Sequence, residues 1–142
     1  MNNPDGSLKV MVVEDEFIIA LDIKERLNKL GYKVPGIATT GREAVRIANK
    51  VNPNIILMDI MLRGEMDGVQ AAKLIREKLD IPVLFISSFS DIHSVQRAEK
   101  VSPFGYIVKP FTEIELKSGI EKAYTKFQLG KKFSNQRKAE SI

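Results

Sequence analysis

The chain has 142 residues, 44% of them apolar, which fits one globular domain with a real core and is too short for two. It has no cysteine, which excludes disulfide frameworks, thiolate metal sites and cysteine nucleophiles. Its formal charge of +4 sits at the end, where Lys126, Lys131, Lys132, Arg137 and Lys138 face only Glu140; the chain before Lys126 is neutral, so a domain-wide nucleic-acid surface is not implied.

The N-terminal stretch Met1-Asn2-Asn3-Pro4-Asp5-Gly6-Ser7 lacks the basic patch and apolar core of a secretory signal. No segment approaches the length of a membrane span, so the expected location is cytoplasmic. A first apolar run, 9–13, reads as a buried strand and ends in Glu14-Asp15. Ala20, Ile23, Leu27 and Leu30 then fall on one helical face, with Gly31 as the stop. The run 33–39 contains Pro35 and Gly36, which suits an edge strand or a bulge. Thr40 and Glu43 form a capping-box pattern opening a helix with Ala44, Ile47, Ala48 and Val51 inward.

A third strand, 54–58, runs into Asp59. Met66-Asp67-Gly68 reads as a turn and not a calcium loop, because the alternating acids are missing. Ala72, Ile75 and Leu79 mark a helix that ends before Pro82, and the strand 83–87 ends in the hydroxyls Ser87-Ser88. The helix over 91–101 has the poorest pattern: Ile92, Val95, Ala98 and Val101 recur every third position and drift around the axis, predicting weak docking. His93, the sole histidine, lies on it and reads as an exposed side chain. The strand 105–108 runs into Lys109-Pro110, and Thr112 with Glu115 opens a last helix. Its inward face is Leu116, Ile120, Ala123 and Phe127, with Gly119 a weak point costing ~1 kcal/mol against alanine. Residues 128–142 are polar and basic, and read as a solvated extension, a truncated linker, or a contact for an acidic partner or nucleic acid.

Alternation of strand and helix argues for an α/β fold, a doubly wound parallel sheet with helices on both faces. In such a sheet ligands sit beyond the carboxyl ends of the strands, where Glu14, Asp15, Asp59, Ser87 and Lys109 all fall. A carboxylate there can accept a phosphoryl group as an acyl phosphate, and Asp59 is the candidate. Adjacent acids call for a hard divalent cation, Mg²⁺ being the natural choice, and Lys109 and Ser87 can each contact a phosphoryl oxygen. Taken singly, each residue has an ordinary alternative. The acids can be solvated loop residues, Asp59 a helix cap, Ser87 and Ser88 a strand end, and Lys109 the partner of any surface acid. Their coincidence at one sheet edge is what points to a site.

At these residues the chain resembles the receiver domains of two-component response regulators. The matching pieces are Val12-Val13-Glu14-Asp15-Glu16, Leu57-Met58-Asp59-Ile60-Met61-Leu62, Met66-Asp67-Gly68, Phe85-Ile86-Ser87-Ser88 and Tyr106-Ile107-Val108-Lys109-Pro110-Phe111. The resemblance covers about 8–127 and implies a five-stranded flavodoxin-like sheet in the order 2-1-3-4-5, leaving 128–142 as a short basic tail or truncated linker. It implies that Asp59 is the phosphoacceptor, that Glu14, Asp15, Asp59 and the Met61 backbone carbonyl hold Mg²⁺, that Lys109 contacts the phosphoryl group, and that Ser87 and Tyr106 form a switch. A cis Lys109–Pro110 bond is implied too.

The implied partners are a histidine kinase as phosphodonor and a downstream effector or output domain. The latter would be reached through the face of the fourth helix, fifth strand and fifth helix. Membrane binding and nucleic-acid contact through the domain are not implied, and pairing with a second copy is left open. One histidine and no kinase segment exclude self-supply of phosphohistidine, and the only chemistry expected is self-phosphorylation and autodephosphorylation. Ser87 replaces the more usual threonine. Met61 and Phe89 are large and apolar beside the site, which predicts a long-lived phosphoaspartate. Two rival readings are an aspartate-nucleophile phosphatase of the haloacid dehalogenase type, which wants an aspartate where Met61 stands, and a flavodoxin-like ligand-binding module, which wants a phosphate-cradling loop where Glu14 and Asp15 stand.

Overall fold

The structure is a computed structural model that describes residues 6–140; the side chains of Phe89, Ile92 and 135–140 lie outside that description, as do residues 1–5, which hold most of the N-terminal stretch. Five strands and five helices alternate: β1 (Val10–Val13), α1 (Phe17–Lys29), β2 (Ile37–Ala38), α2 (Gly41–Val51), β3 (Ile55–Asp59), α3 (Gly68–Leu79), β4 (Val83–Ser87), α4 (Ile92–Val101), β5 (Tyr106–Val108) and α5 (Glu113–Glu140). The strands are all parallel and lie in the order β2-β1-β3-β4-β5, the flavodoxin-like order that the resemblance implies.

Side-chain alternation along the strands divides the core into two layers. Val10, Val12, Ile55, Leu57, Leu84, Ile86 and Ile107 pack against Ala20, Ile23 and Leu27 of α1 and Leu116, Ile120 and Ala123 of α5. Met11, Val13, Ile56, Met58, Val83 and Phe85 point the other way, onto Ala44 and Ala48 of α2, Ala72 and Ile75 of α3, and Val95 and Ala98 of α4. A continuous apolar run is what a strand covered on both faces requires.

The second strand is shorter than the run 33–39. Lys33 bridges Lys9, and a ladder with β1 forms only at Ile37 and Ala38. Pro35 has no N–H to donate, so the break falls where the edge-strand reading put it. Gly36 also lets α2 come close, since a Cβ there would stand 2.8 Å from Ile47 Cγ2.

Both predicted caps form. The Glu43 amide donates to Thr40 Oγ1 (3.1 Å), but the Glu43 carboxylate accepts from the Thr39 amide (3.1 Å), one residue before the usual partner. At α5 the box is complete: the Glu115 amide donates to Thr112 Oγ1, and the Thr112 amide donates to Glu115 Oε1, both at 3.1 Å. A third box, not foreseen, opens α3, where Asp67 and Gln70 satisfy each other's backbone amides at 2.8 and 2.9 Å. The turn reading of Met66-Asp67-Gly68 missed that the aspartate starts a helix.

Gly119 lies close against β5: a Cβ there would stand 2.9 Å from Ile107 Cδ1, so a larger residue would require that side chain to shift. The last helix continues past Phe127 to Glu140, with Leu129 and Phe133 exposed and Lys131 placed 3.6 Å from Asp80. The thin pattern of α4 matches its packing, with Val95 and Ala98 buried and His93 exposed. Buried Ser102 ties the end of α4 to the sheet by donating to the Val83 carbonyl (2.9 Å) and accepting from its amide (3.1 Å).

Candidate functional site

Parallel register places the chemistry. Val13 is level with Met58, Asp59 with Ile86, and Ser87 with Val108, so Glu14, Asp15, Asp59, Ser87 and Lys109 emerge from adjacent strand ends. Carboxylate oxygens of Glu14, Asp15 and Asp59 lie within 4.8 Å of one another. Lys109 Nζ stands 2.8 Å from Asp59 Oδ2 and 3.8 Å from Glu14 Oε2. The Lys109–Pro110 peptide is cis.

Asp59 closes β3 and is nearly buried, at 6% exposure. Its second oxygen, Oδ1, accepts from the Met61 amide at 2.9 Å, which aims the carboxylate along the sheet edge. Gly68 presses on the backbone behind it: the Gly68 amide donates to the Ile60 carbonyl at 3.1 Å, and a Cβ at Gly68 would collide with the Asp59 carbonyl. Sequence reasoning did not assign Gly68 this role; its place directly after the Asp67 cap was the available signal.

The charge balance of the cluster is incomplete. Glu14 is 2% exposed and its Oε2 has no hydrogen-bond partner. Burial, then the hydrogen bond and charge of Asp59, push the Glu14 carboxyl from an ordinary 4.5 up to about 8, against the opposing pull of Lys109. Burial alone would lower the Lys109 pKa, but the bond and charge of Asp59, with Glu14 and Asp15 behind it, raise it on balance, so the ammonium stays charged. Lys109 is the one cation on Asp59 and Glu14, Arg63 reaches only the outer acid Asp15, and Glu14 Oε2 is left unpaired in a hard, all-oxygen donor set. That set suits Mg²⁺, which binds through one or two carboxylates and retains water.

Asp15 is held differently. Its Oδ2 accepts from Arg63 Nε at 2.9 Å and from the Arg63 amide at 3.3 Å, while Arg63 Nη2 reaches Glu16 Oε1 at 3.4 Å. Arg63 lies in the segment between two recognised motif pieces, and nothing in the residue pattern singled it out.

The two residues expected to form a switch, Ser87 and Tyr106, stand apart from the carboxylates. The Ser87 hydroxyl is buried and donates to the Ser88 carbonyl at 2.9 Å. Ser88 in turn joins Asp91, donating its hydroxyl at 2.8 Å and its amide at 3.1 Å. The Tyr106 ring is 47% exposed. Among the described residues neither Ser87 nor Tyr106 bonds the carboxylate cluster. Met61 is exposed, with its sulfur 3.8 Å from Ser94 Oγ, and the side chain of Phe89 lies outside the description.

Comparison with known proteins agrees with this geometry. The family model described as the response regulator receiver domain matches residues 10–121. The transcriptional regulatory protein PdtaR of Mycobacterium tuberculosis is 35% identical over 120 residues, covering 84% of this chain and 58% of that protein. The phyllosphere-induced regulator PhyR of Methylorubrum extorquens is 32% identical over 120 residues, 84% of this chain and 44% of that one. Among solved structures, the signal receiver domain of a modulated diguanylate cyclase from Desulfovibrio desulfuricans G20 aligns with a TM-score of 0.81 and 40% identity, covering 87% of this chain and 98% of that one. The chain thus spans about half the length of the curated relatives it matches.

Proposed function

The chain belongs to the response regulator receiver domains of two-component signalling, and from that premise we propose that it is a phosphorelay switch whose Asp59 accepts a phosphoryl group from a partner histidine kinase. The supporting observation is the Asp59 carboxylate itself. It is held by the Met61 amide at one oxygen and Lys109 at the other, with Glu14 and Asp15 beside it. In the transfer the P–N bond to the donor histidine breaks as a P–O bond to the carboxylate forms. The protein's part is positioning and charge neutralisation. Lys109 carries a fixed positive charge to the equatorial oxygens, and the Met61 amide keeps the nucleophile oriented. Glu14, Asp15, Asp59 and the Met61 carbonyl are the residues that would hold Mg²⁺. When bound, the ion would offset the charge that these acids and the incoming phosphoryl group bring together. The family match favours this reading over the phosphatase and flavodoxin-like ones.

Signalling follows from Ser87 and Tyr106. Swinging the Ser87 hydroxyl from the Ser88 carbonyl to a phosphoryl oxygen exchanges a neutral bond for a charge-assisted one. The Tyr106 ring then moves inward from its exposed position, and the face of α4, β5 and α5 changes for an effector or attached output domain. Shifting such an equilibrium from 1:99 to 99:1 takes ~5.5 kcal/mol of differential stabilisation.

Acyl-phosphate labelling with Mg²⁺, read by intact mass, tests the proposal. One added phosphoryl group is expected in wild type and none in Asp59→Asn; a label that survives in Asp59→Asn would reject it. Following the label over hours tests the long lifetime ascribed to Met61 and Phe89, which rapid spontaneous loss would contradict.

A further inference from the structure

Arg63 is the residue near the cluster that phosphotransfer does not explain. Its backbone amide and Nε converge on the same oxygen, Asp15 Oδ2, at 3.3 and 2.9 Å. That carboxylate belongs to the acidic triad and its side chain is only 13% exposed, whereas the Arg63 side chain is 76% exposed. The guanidinium therefore lies across the solvent side of a largely buried acid. Its remaining contact, to Glu16 at 3.4 Å, is long and exposed.

The surroundings allow it to leave. A cavity of about 310 Å³ lined by Arg63, Gly64, Glu65 and Arg42 adjoins the side chain, with the exposed Glu65 carboxylate there already paired to Arg42 at 3.0 Å. The backbone amide of Arg63 holds Asp15 independently of the guanidinium, so rotation about the side-chain bonds moves the charge without moving the loop.

We propose that Arg63 is an internal competitor of the divalent cation: its guanidinium and the metal contend for the Asp15 carboxylate, so that loading the site displaces the arginine side chain. The inference rests on the metal-site reading given under Proposed function. An arginine that merely propped Asp15 in place would aid metal binding, and a competitor opposes it. The sign of the effect separates the two roles. The arginine half of the pair is solvent-exposed and screened, so the competition is modest and reversible, and it sets the Mg²⁺ concentration at which the site fills.

Calorimetric titration of Mg²⁺ into the full chain tests this. Arg63→Gln is expected to bind Mg²⁺ about 1.5- to 5-fold more tightly than wild type. Arg42→Gln removes an equal charge from the lining of the same cavity, where its partner is Glu65 and not Asp15, and is expected to change affinity less. Unchanged or weaker binding by Arg63→Gln overturns the proposal and leaves the metal site intact, as does an equal gain from Arg42→Gln, which would mean net charge alone. Failure of wild type to bind Mg²⁺ in a manner lost with Asp59→Asn overturns the metal-site reading and this proposal with it.

Discussion

Glu14 carries the largest electrostatic strain of any single residue in the site. Its carboxyl is shifted from 4.5 to about 8, chiefly by burial and then by Asp59. Between those two values the folded chain holds a proton that the unfolded chain has lost. Stability therefore falls as pH rises through that window, because the native state binds more protons than the unfolded one. In chelator, the wild type is expected to lose on the order of 1–3 kcal/mol between pH 5 and pH 8.5 from this group. Glu14→Gln cannot ionise, so it should flatten that slope and be the more stable protein at pH 8.5. Adding Mg²⁺ should reverse the ranking, since a bound cation stabilises only the native state of a chain that keeps its ligand. Denaturant unfolding at the two pH values, with and without Mg²⁺, reads all of this; a wild-type curve that does not fall toward high pH in chelator would show Glu14 to be ordinarily ionised.

The start of α3 does as much for the site as any side chain in it. The Asp67–Gln70 box fixes where the helix begins, and Gly68 then sits against the backbone of Asp59 and Ile60. Gly68→Ala would force a methyl into the Asp59 carbonyl and within 2.9 Å of the Ile60 carbonyl, neither of which can turn away as a flexible side chain can. The expected cost is about 1–3 kcal/mol of stability, together with slower labelling of Asp59 because the displaced backbone is its own. Normal stability and labelling in that variant would mean the loop accommodates a Cβ freely. How well an element could be read from the residues depended on whether its signal was local. Thr40 and Thr112 announced their helices through cap chemistry, and the apolar runs announced the strands. The length of β2 was harder to read, because one proline and one close approach to Ile47 decide it. The close approach of Gly119 to Ile107 was equally hidden: helix propensity is a property of the segment, whereas that contact is set by a residue on another strand.

Over the whole molecule, the placement of Glu14, Asp15, Asp59 and Lys109 on one edge was legible because strand ends of a parallel sheet share it, while their convergence needs β1, β3, β4 and β5 to be neighbours. Strand order itself came from family resemblance, since periodicity does not rank neighbours. Arg63 was invisible because its partner, Asp15, is remote in sequence and no motif spans the two. The least legible region was the end of the chain, where polar, basic composition left a solvated extension, a linker and a partner contact open, and α5 continues to Glu140. That continuation adds little to the core. Among the residues whose side chains are described, Phe127 is the last buried one, meeting Phe104 edge-on at 5.6 Å with Arg76 over both rings, and Leu129 and Phe133 after it are exposed. Beyond it, Lys131 lies 3.6 Å from Asp80 and 4.9 Å over the Phe127 ring, a pairing between exposed groups. We therefore propose 8–127 as the folding unit, with the remainder a helical extension of it. A chain ending at Gln128 should unfold in one cooperative transition with a loss of no more than about 1 kcal/mol, the scale of one exposed ion pair with a cation–π contact. A loss of several kcal/mol, or a broadened transition, would instead make residues 128–140 part of the domain and α5 a single structural member from Glu113 to its end.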